Sequence, residues 1–387
     1  MKINTSFGEL ILLTNCPLLE TKERLEFKTD VHASYDGSAE ERIPLRDQAR
    51  QSFTMPYVVV YDQIAPLYNS LYEGLRKEFA IPQVLEREVI SDINNQDFIE
   101  FDTSLKLGYM PAKSLALINS NEGRFVVEIT DIGRYQVIDE ETVYVDGYRL
   151  NQTITATNAT ITPIRRCIID GGVGSQINGW MMKPTVNFRV IDNPEYDNSP
   201  DPDQLKGDDL YFMPLLLDGD FLDISFTQLQ SIVDGDTGLF GQFTPWLNPQ
   251  IMKNLRVIIK TRQEFNDYKK WFYRRRGKLN QFWLPTYEQN LNLVSQSGST
   301  IAVKDDNYLI SRKHIAIKAN DTWSAHEITY VSSAANNKIL TLNPEPPVNI
   351  QRVSYLGLYR LNSDSVEFSF LGADIIEAVV PILELSP

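Results

Sequence analysis

GLRKEFAIP, residues 74–82, and GKLNQFWLP, residues 277–285, share one pattern: a glycine, a phenylalanine five places on, and a proline three places after that with an aliphatic residue before it. They stand 203 residues apart in a chain of 387. A chain of that length is expected to form two domains, and a match at a fixed spacing asks whether the second domain repeats the first.

The flanks support a repeat. Upstream, PLLETKERLEF (17–27) lines up with PLLLDGDFLDI (214–224), and Asp36-Gly37 with Asp234-Gly235. Downstream, YVDGYRLN (144–151) lines up with YLGLYRLN (355–362). Four similarities in one order, at offsets between 197 and 211, predict a tandem duplication: a first β-rich repeat over 1–190, a linker over 191–206 and a second repeat over 207–387.

Ahead of each glycine runs an apolar stripe with helical spacing, Ile64, Leu67, Tyr68, Leu71 and Leu75 in the first copy and Phe265, Tyr268, Trp271 and Phe272 in the second. The stripes fall one residue out of step with the glycine spacing, as an insertion or a shifted helix end would cause. Each helix is expected to stop near its glycine and to be followed by a short strand ending by the proline. Gly74, Phe79 and Pro82, with Gly277, Phe282 and Pro285, are therefore the expected repeat core. The clearest strand candidates elsewhere are RFVVEI (124–129), TVYV (142–145), TITATNATIT (153–162), VNFRV (186–190), LRVIIK (255–260), KHIAIK (313–318), EITYV (327–331) and SVEFSF (365–370). The fold predicted is mainly β (α+β), with one amphipathic helix and a following short strand in each copy.

Composition narrows the function. A net charge of −14 disfavours general binding to nucleic acid, which needs summed positive charge along a face. Cys16 and Cys167 form no CxxC pair, so neither a zinc site nor a disulfide framework is expected. The opening MKINTSFGELILLTN has an apolar patch too short for a signal or a membrane span. His32, His314 and His326 lack ligand spacing, and neither GxSxG nor GxxxxGK[ST] occurs. DGGVGSQING (170–179) misses the dinucleotide spacing and reads as a flexible turn. Aspartates 201, 203, 208, 209, 218 and 220 lack the order of a calcium loop and read as a solvated acidic stretch. No cofactor and no catalysis are expected, although a pair of carboxylates able to hydrolyse a glycoside is recognised in space rather than in sequence.

The residues Arg274, Arg275, Arg276 and Lys278 are a basic cluster beside Trp271, Tyr273 and Trp283, a composition that suits phosphate and base stacking. The first copy has Leu71, Tyr72, Glu73 and Leu75 at the matching places, so the fold does not require the charge. Basic residues in a last helical turn also favour the helix dipole. Between Ile191 and Asp236 there are twelve acidic residues and one basic one, Lys206, a complementary surface within the chain or on a neighbouring subunit. The cluster, with Trp271, is accordingly expected at an inter-subunit contact.

Residues 25–50, LEFKTDVHASYDGSAEERIPLRDQAR, place turn chemistry at Tyr35-Asp36-Gly37-Ser38 and then Glu40, Glu41, Arg42, Arg46 and Arg50 on a strand-like segment. That suits an extended arm pairing with several neighbours; the alternative is a solvent-facing strand with weak surface ion pairs. The stretch resembles a pattern of tailed-bacteriophage tail proteins, "tDV..SYDGsE.R..LR..PR", which opens a domain and is followed later by "RRG.L..FWLP". The matching residues are Asp30, Val31, Ser34 to Ser38, Glu41, Arg42, Leu45, Arg46 and Arg50, then Arg275, Arg276, Gly277, Leu279 and Phe282 to Pro285. Ala49 departs from the family's proline, and the second copy keeps Asp234-Gly235 but not the charges after it.

The resemblance implies a virion structural protein, assembled in the bacterial host cytoplasm into a ring of the tail tip or baseplate, as a homotrimer or homohexamer. It implies the tail tube, tape-measure, hub and fibre proteins as partners, with Tyr35, Asp36, Glu41, Arg42, Arg46 and Arg50 at the interface. A trimer of a two-copy chain presents six similar domains. Other readings are a carbohydrate-binding or hydrolytic tail component and a channel lining that meets DNA. Membrane contact is not expected.

Overall fold

The computed structural model describes residues 1–387 except 38, 101–109, 139–140, 193–202, 213–223, 235, 237, 239, 247–249, 306–307, 309–311, 335, 373–374 and 386–387. Among the described residues the chain is mostly β-strand with two α-helices, a mainly β fold.

The principal strands of the first half are β1 (Gly8–Leu12), β2 (Lys22–Glu26), β3 (Thr29–Ala33), β4 (Glu40–Pro44) and β5 (Arg50–Pro56), followed by helix α1 (Ile64–Gly74). Then come β6 (Phe79–Pro82), β7 (Thr160–Ile169), β8 (Gly174–Asn178) and β9 (Met181–Val190). The second half runs β10 (Asp208–Leu210), β11 (Ile224–Thr227), β12 (Ser231–Asp234), β13 (Phe240–Phe243), β14 (Gln250–Ile259) and helix α2 (Arg262–Arg275). It ends with β15 (Phe282–Pro285), β16 (Ile350–Leu361), β17 (Ser365–Phe370) and β18 (Ile376–Glu384).

Adding nine to a strand number of the first half gives its counterpart in the second, and the pairings match. β6 lies parallel to β1, with Ile11 facing Phe79, as β15 lies parallel to β10, with Asp209 facing Phe282. On its other edge each is antiparallel to the returning strand, Phe79 facing Cys167 and Phe282 facing Tyr359. β7 and β16 then pair β9 and β18, which pair β5 and β14, which pair β2 and β11. β3–β4 and β12–β13 are separate two-stranded arms.

Between the short strand and its return, each half inserts a further antiparallel unit with its own core. The first spans the strands from Ile93 to Ala156, packed around Ile118, Ile129 and Tyr148; the second spans Leu293 to Asn343, packed around Ile301, Ile315 and Leu340.

Local chemistry explains the repeated element. Thr261 Oγ1 accepts the Glu264 amide at 3.1 Å while Glu264 accepts that of Lys260 at 2.8 Å, a reciprocal start for α2. The helix ends at left-handed Arg276, whose N–H reaches Phe272 O and Tyr273 O, and Gly277 continues at φ +66°. Gly74 closes α1 for a different reason: a Cβ there would lie 1.9 Å from the Phe79 ring.

Several sequence expectations are corrected. Tyr68 and Leu75 are exposed rather than core, because α1 turns only Leu67, Leu71 and Gly74 fully inward. The Tyr-Arg-Leu-Asn identity is not an equivalence. Tyr148 faces Ile99 and Ile132 in the inserted unit, whereas Tyr359 faces Phe282 in the repeat sheet. TITATNATIT divides at Asn158, φ +48°, between two strands. DGGVGSQING contains β8, the outer strand of a hairpin with β9. The expected linker falls largely outside the described residues.

Candidate functional site at the junction of the two halves

The halves are joined by more than a linker. β2 of the first half pairs antiparallel with β17 of the second, Leu25 facing Val366, while its other edge pairs β5. Leu25 and Phe27 thereby enter the second half's core, Phe27 lying 5.7 Å from Phe272 and 5.5 Å from Tyr273 between ring centroids. Full burial of each such side chain contributes about 1.5–3 kcal/mol. Ala49, where the resembled family has proline, is buried in the same cluster.

Beneath β2 a buried ion group crosses the junction. Lys269 of α2 places Nζ 2.8 Å from Glu23 Oε1 and 3.6 Å from Glu86 Oε1, and the ammonium sits 4.0 Å from the Phe265 ring centroid. Gln51 Nε2 donates to Glu23 Oε1 at 2.7 Å. At the helix start, Arg262 pairs with Glu88 and donates to Arg87 O.

The arm β3–β4 lies along the end of α2. Arg42 donates to Leu279 O at 2.6 Å and to Gln281 Oε1 at 2.9 Å, and Arg360 grips Glu40 through both carboxylate oxygens at 2.6 and 2.9 Å. Arg276 pairs with Asp47, and Arg46 donates to Glu26 O at 2.8 Å. Asp364 ties both pieces: its carboxylate accepts the amides of Thr29 at 2.9 Å and Lys278 at 3.0 Å. Gly277 makes room for it, since a Cβ there would lie 2.5 Å from Asp364 Oδ1. At the tip, Gly37 takes φ +68° and lies against the Trp246 indole.

The arginine cluster is drawn inward. Arg275 pairs with Asp209, donates to Gln281 O, and is buried; Arg274 reaches Asp209 at 3.2 Å. Burial lowers the Arg275 guanidinium to about 10, with Asp209 opposing the shift, so it stays charged at neutral pH. Arg42, Arg274, Arg275, Arg276, Asp208 and Asp209 line an open cleft of about 630 Å³. Of the two places expected for the acidic complement, Asp208 and Asp209 act within the chain.

Of the expected contact residues, Arg42, Arg46, Arg274, Arg275, Arg276 and Lys278 therefore meet at this intrachain junction. Trp271 is a core residue, its ring centroid 4.5 Å from Tyr211 and 5.3 Å from Phe282. Tyr35, Glu41 and Arg50 remain exposed, and Asp36 is half-buried in the turn. The repeat residues Phe79, Pro82, Phe282 and Pro285 are buried in the two short strands. Glu23, Lys269, Arg360 and Asp364 were not singled out by the sequence, because a lone charge carries no spacing signal; Glu40 was, but not its partner Arg360.

Among the described residues no group of three His, Cys, Asp or Glu side chains could share a metal, and no helix is long and apolar enough to cross a membrane. Asp201, Asp218 and Asp220 lie outside the described residues. Cys16 is exposed and Cys167 buried, both free. No protein-family model matches the chain, and no curated protein matches it.

Proposed function

We propose that this chain is a structural subunit of a bacteriophage tail tip or baseplate, assembling into a ring that joins the tail tube to the hub and fibres. The reading rests on the resemblance of residues 25–50 and 275–285 to tail proteins. The observation that carries it is that these two stretches are one working unit: the first repeat's arm and the turn after it clasp the helix end of the second through Arg42 and Asp47, and the arm's Thr29 amide shares the Asp364 carboxylate with that of Lys278. An arm that locks one β-rich copy onto the next is a device for building a closed wall from repeated parts. Tube, tape-measure, hub and fibre proteins are the proposed neighbours, in the virion tail.

Gold-labelled antibody against the purified chain tests this on intact particles. Label at the distal end of the tail is expected; label on the head, or none on particles that contain the chain, would overturn it.

A further inference from the structure

The junction inside the chain uses one donor, the strand β2 with its arm, and one acceptor, the α2 and β17 face. The repeat leaves a second donor and a second acceptor. Among the described residues β11 pairs only β14, and both strands of the arm β12–β13 are exposed throughout, including Ile232, Val233, Phe240 and Phe243. Likewise β8 pairs only β9, and the outer face of α1 shows Tyr68 and Tyr72 with their rings stacked.

Corresponding positions follow from the registers. Phe79 and Phe282 correspond, hence Cys167 and Tyr359, Val190 and Glu384, and, across the next pairing, Phe53 and Lys253. Glu23 faces Phe53 and Ile224 faces Lys253, so Ile224 stands where Glu23 stands, and Phe226 where Leu25 stands; this corrects the sequence match of 17–27 to 214–224, which set Phe27 against Ile224, four residues out of register. By the same route Ser175 corresponds to Phe368. On the helices the inward residues Ile64, Leu67 and Leu71 match Phe265, Tyr268 and Phe272 in spacing, which puts Tyr68 at the place of Lys269 and Tyr72 at that of Tyr273.

The two junctions then differ in a correlated way. In the filled one Leu25 is 0% exposed and Lys269 0%; in the open one Phe226 is 71% exposed and Tyr68 51%. The filled junction buries a carboxylate against an ammonium, Glu23 on Lys269, whereas the open one offers Ile224 and Tyr68. Both members of the pair have changed from charged to apolar, as they must if they meet each other.

We propose that chains join head to tail: β11 and the arm β12–β13 of one chain seat on α1 and β8 of a second copy, reproducing between chains the junction seen within one. β11 extends the neighbour's β8 antiparallel, Ile224 opposite Ser175, as Glu23 is opposite Phe368. Phe226 fills the place over α1 that Leu25 fills over α2. A heterologous contact of this kind closes into a ring or runs into a filament; the inference rests on the proposed ring for closure, and on the repeat for the contact.

The test recreates the internal ion pair between chains. Purified full-length protein is followed by sedimentation velocity over a dilution series. Ile224→Glu and Tyr68→Lys should each weaken self-association about tenfold or more, as central contacts do, and the double variant should regain most of it. Phe226→Asp, on the same edge, should weaken it with the same sign. All three positions are at the surface of the single chain, so thermal midpoints of the dilute protein should stay with wild type. Wild-type rings that persist in every single variant, or a double variant no better than its parents, would overturn the contact while leaving ring formation standing. A wild-type chain that never associates would overturn both.

Discussion

Lys269→Met should destabilise the chain by about 3–5 kcal/mol, the usual cost of removing one partner of a buried ion pair. Lys269 and Glu23 are 0% and 1% exposed, with 2.8 Å between Nζ and Oε1. At an effective dielectric of about 20 that contact alone carries a gross attraction of about 6 kcal/mol, most of it offset by desolvation. Deleting only the ammonium strands Glu23, with Glu86 close by, beneath the strand that joins the halves. The loss therefore measures stranded carboxylates rather than the net value of the pair.

Two consequences distinguish this from a packing defect. Adding Glu23→Gln, which keeps an acceptor for Gln51, should recover most of the loss. The penalty should also shrink on acidification. A stranded buried carboxylate has its folded pKa raised above the unfolded value near 4.3, so the folded variant binds more protons and gains stability, relative to wild type, as pH falls through that raised value. Urea unfolding followed by tryptophan fluorescence at pH 7 and pH 5 reads both effects. A loss under about 1 kcal/mol, against the 3–5 expected for such pairs, or a penalty that grows as pH falls, would refute the reasoning.

Asp364→Ala removes the acceptor of two backbone amides and should cost about 1–3 kcal/mol, with faster hydrogen exchange in the arm at 29–44 and at the Lys278 amide as its signature. Gly74→Ala should cost about 1–3 kcal/mol by driving a methyl into the Phe79 ring, measured as a shift of the urea midpoint. His314 and His326 both have pKa values lowered below the usual histidine range by burial. The unfolded chain therefore binds more protons, and their contribution, full above about pH 6.5, is lost as pH falls through and below that value. Thermal melts at pH 7.5 and 5.5 should show the drop, reduced in His326→Asn. Changing Arg274, Arg275 and Arg276 together to Glu sets new carboxylates against Asp209 and Asp47, and should lower the melting temperature of the single chain before any assembly is examined.

What the sequence disclosed was local. Gly74, Phe79 and Pro82 and their counterparts are legible because a helix stop, a turn and a short buried strand are encoded within nine residues. The arm was legible as turn residues followed by alternating charge. Its docking was not, since Arg42, Asp47 and Glu40 meet partners more than 200 residues away. Lys269 sits in an Asp-Tyr-Lys-Lys run that reads as a solvated helix face, and only the arrival of β2 buries it. Tyr68 and Leu75 failed for the converse reason: they are apolar, as core residues are, yet no described part of this chain covers them. The four-residue identity at Tyr148 and Tyr359 misled because short matches within β-rich sequence do not carry register.

The claim that the repeat continues from chain to chain is tested most directly by disulfide trapping of one pair. Ile224→Cys and Ser175→Cys are introduced together in a Cys16→Ser background. Directly opposed antiparallel residues have Cα atoms about 4.5–5.5 Å apart, within disulfide range. Mild oxidation of the assembled protein should give a reducible ladder of linked chains that ends at the ring's copy number, and neither single cysteine should give more than a dimer. Assemblies that form normally yet show no ladder would contradict the account.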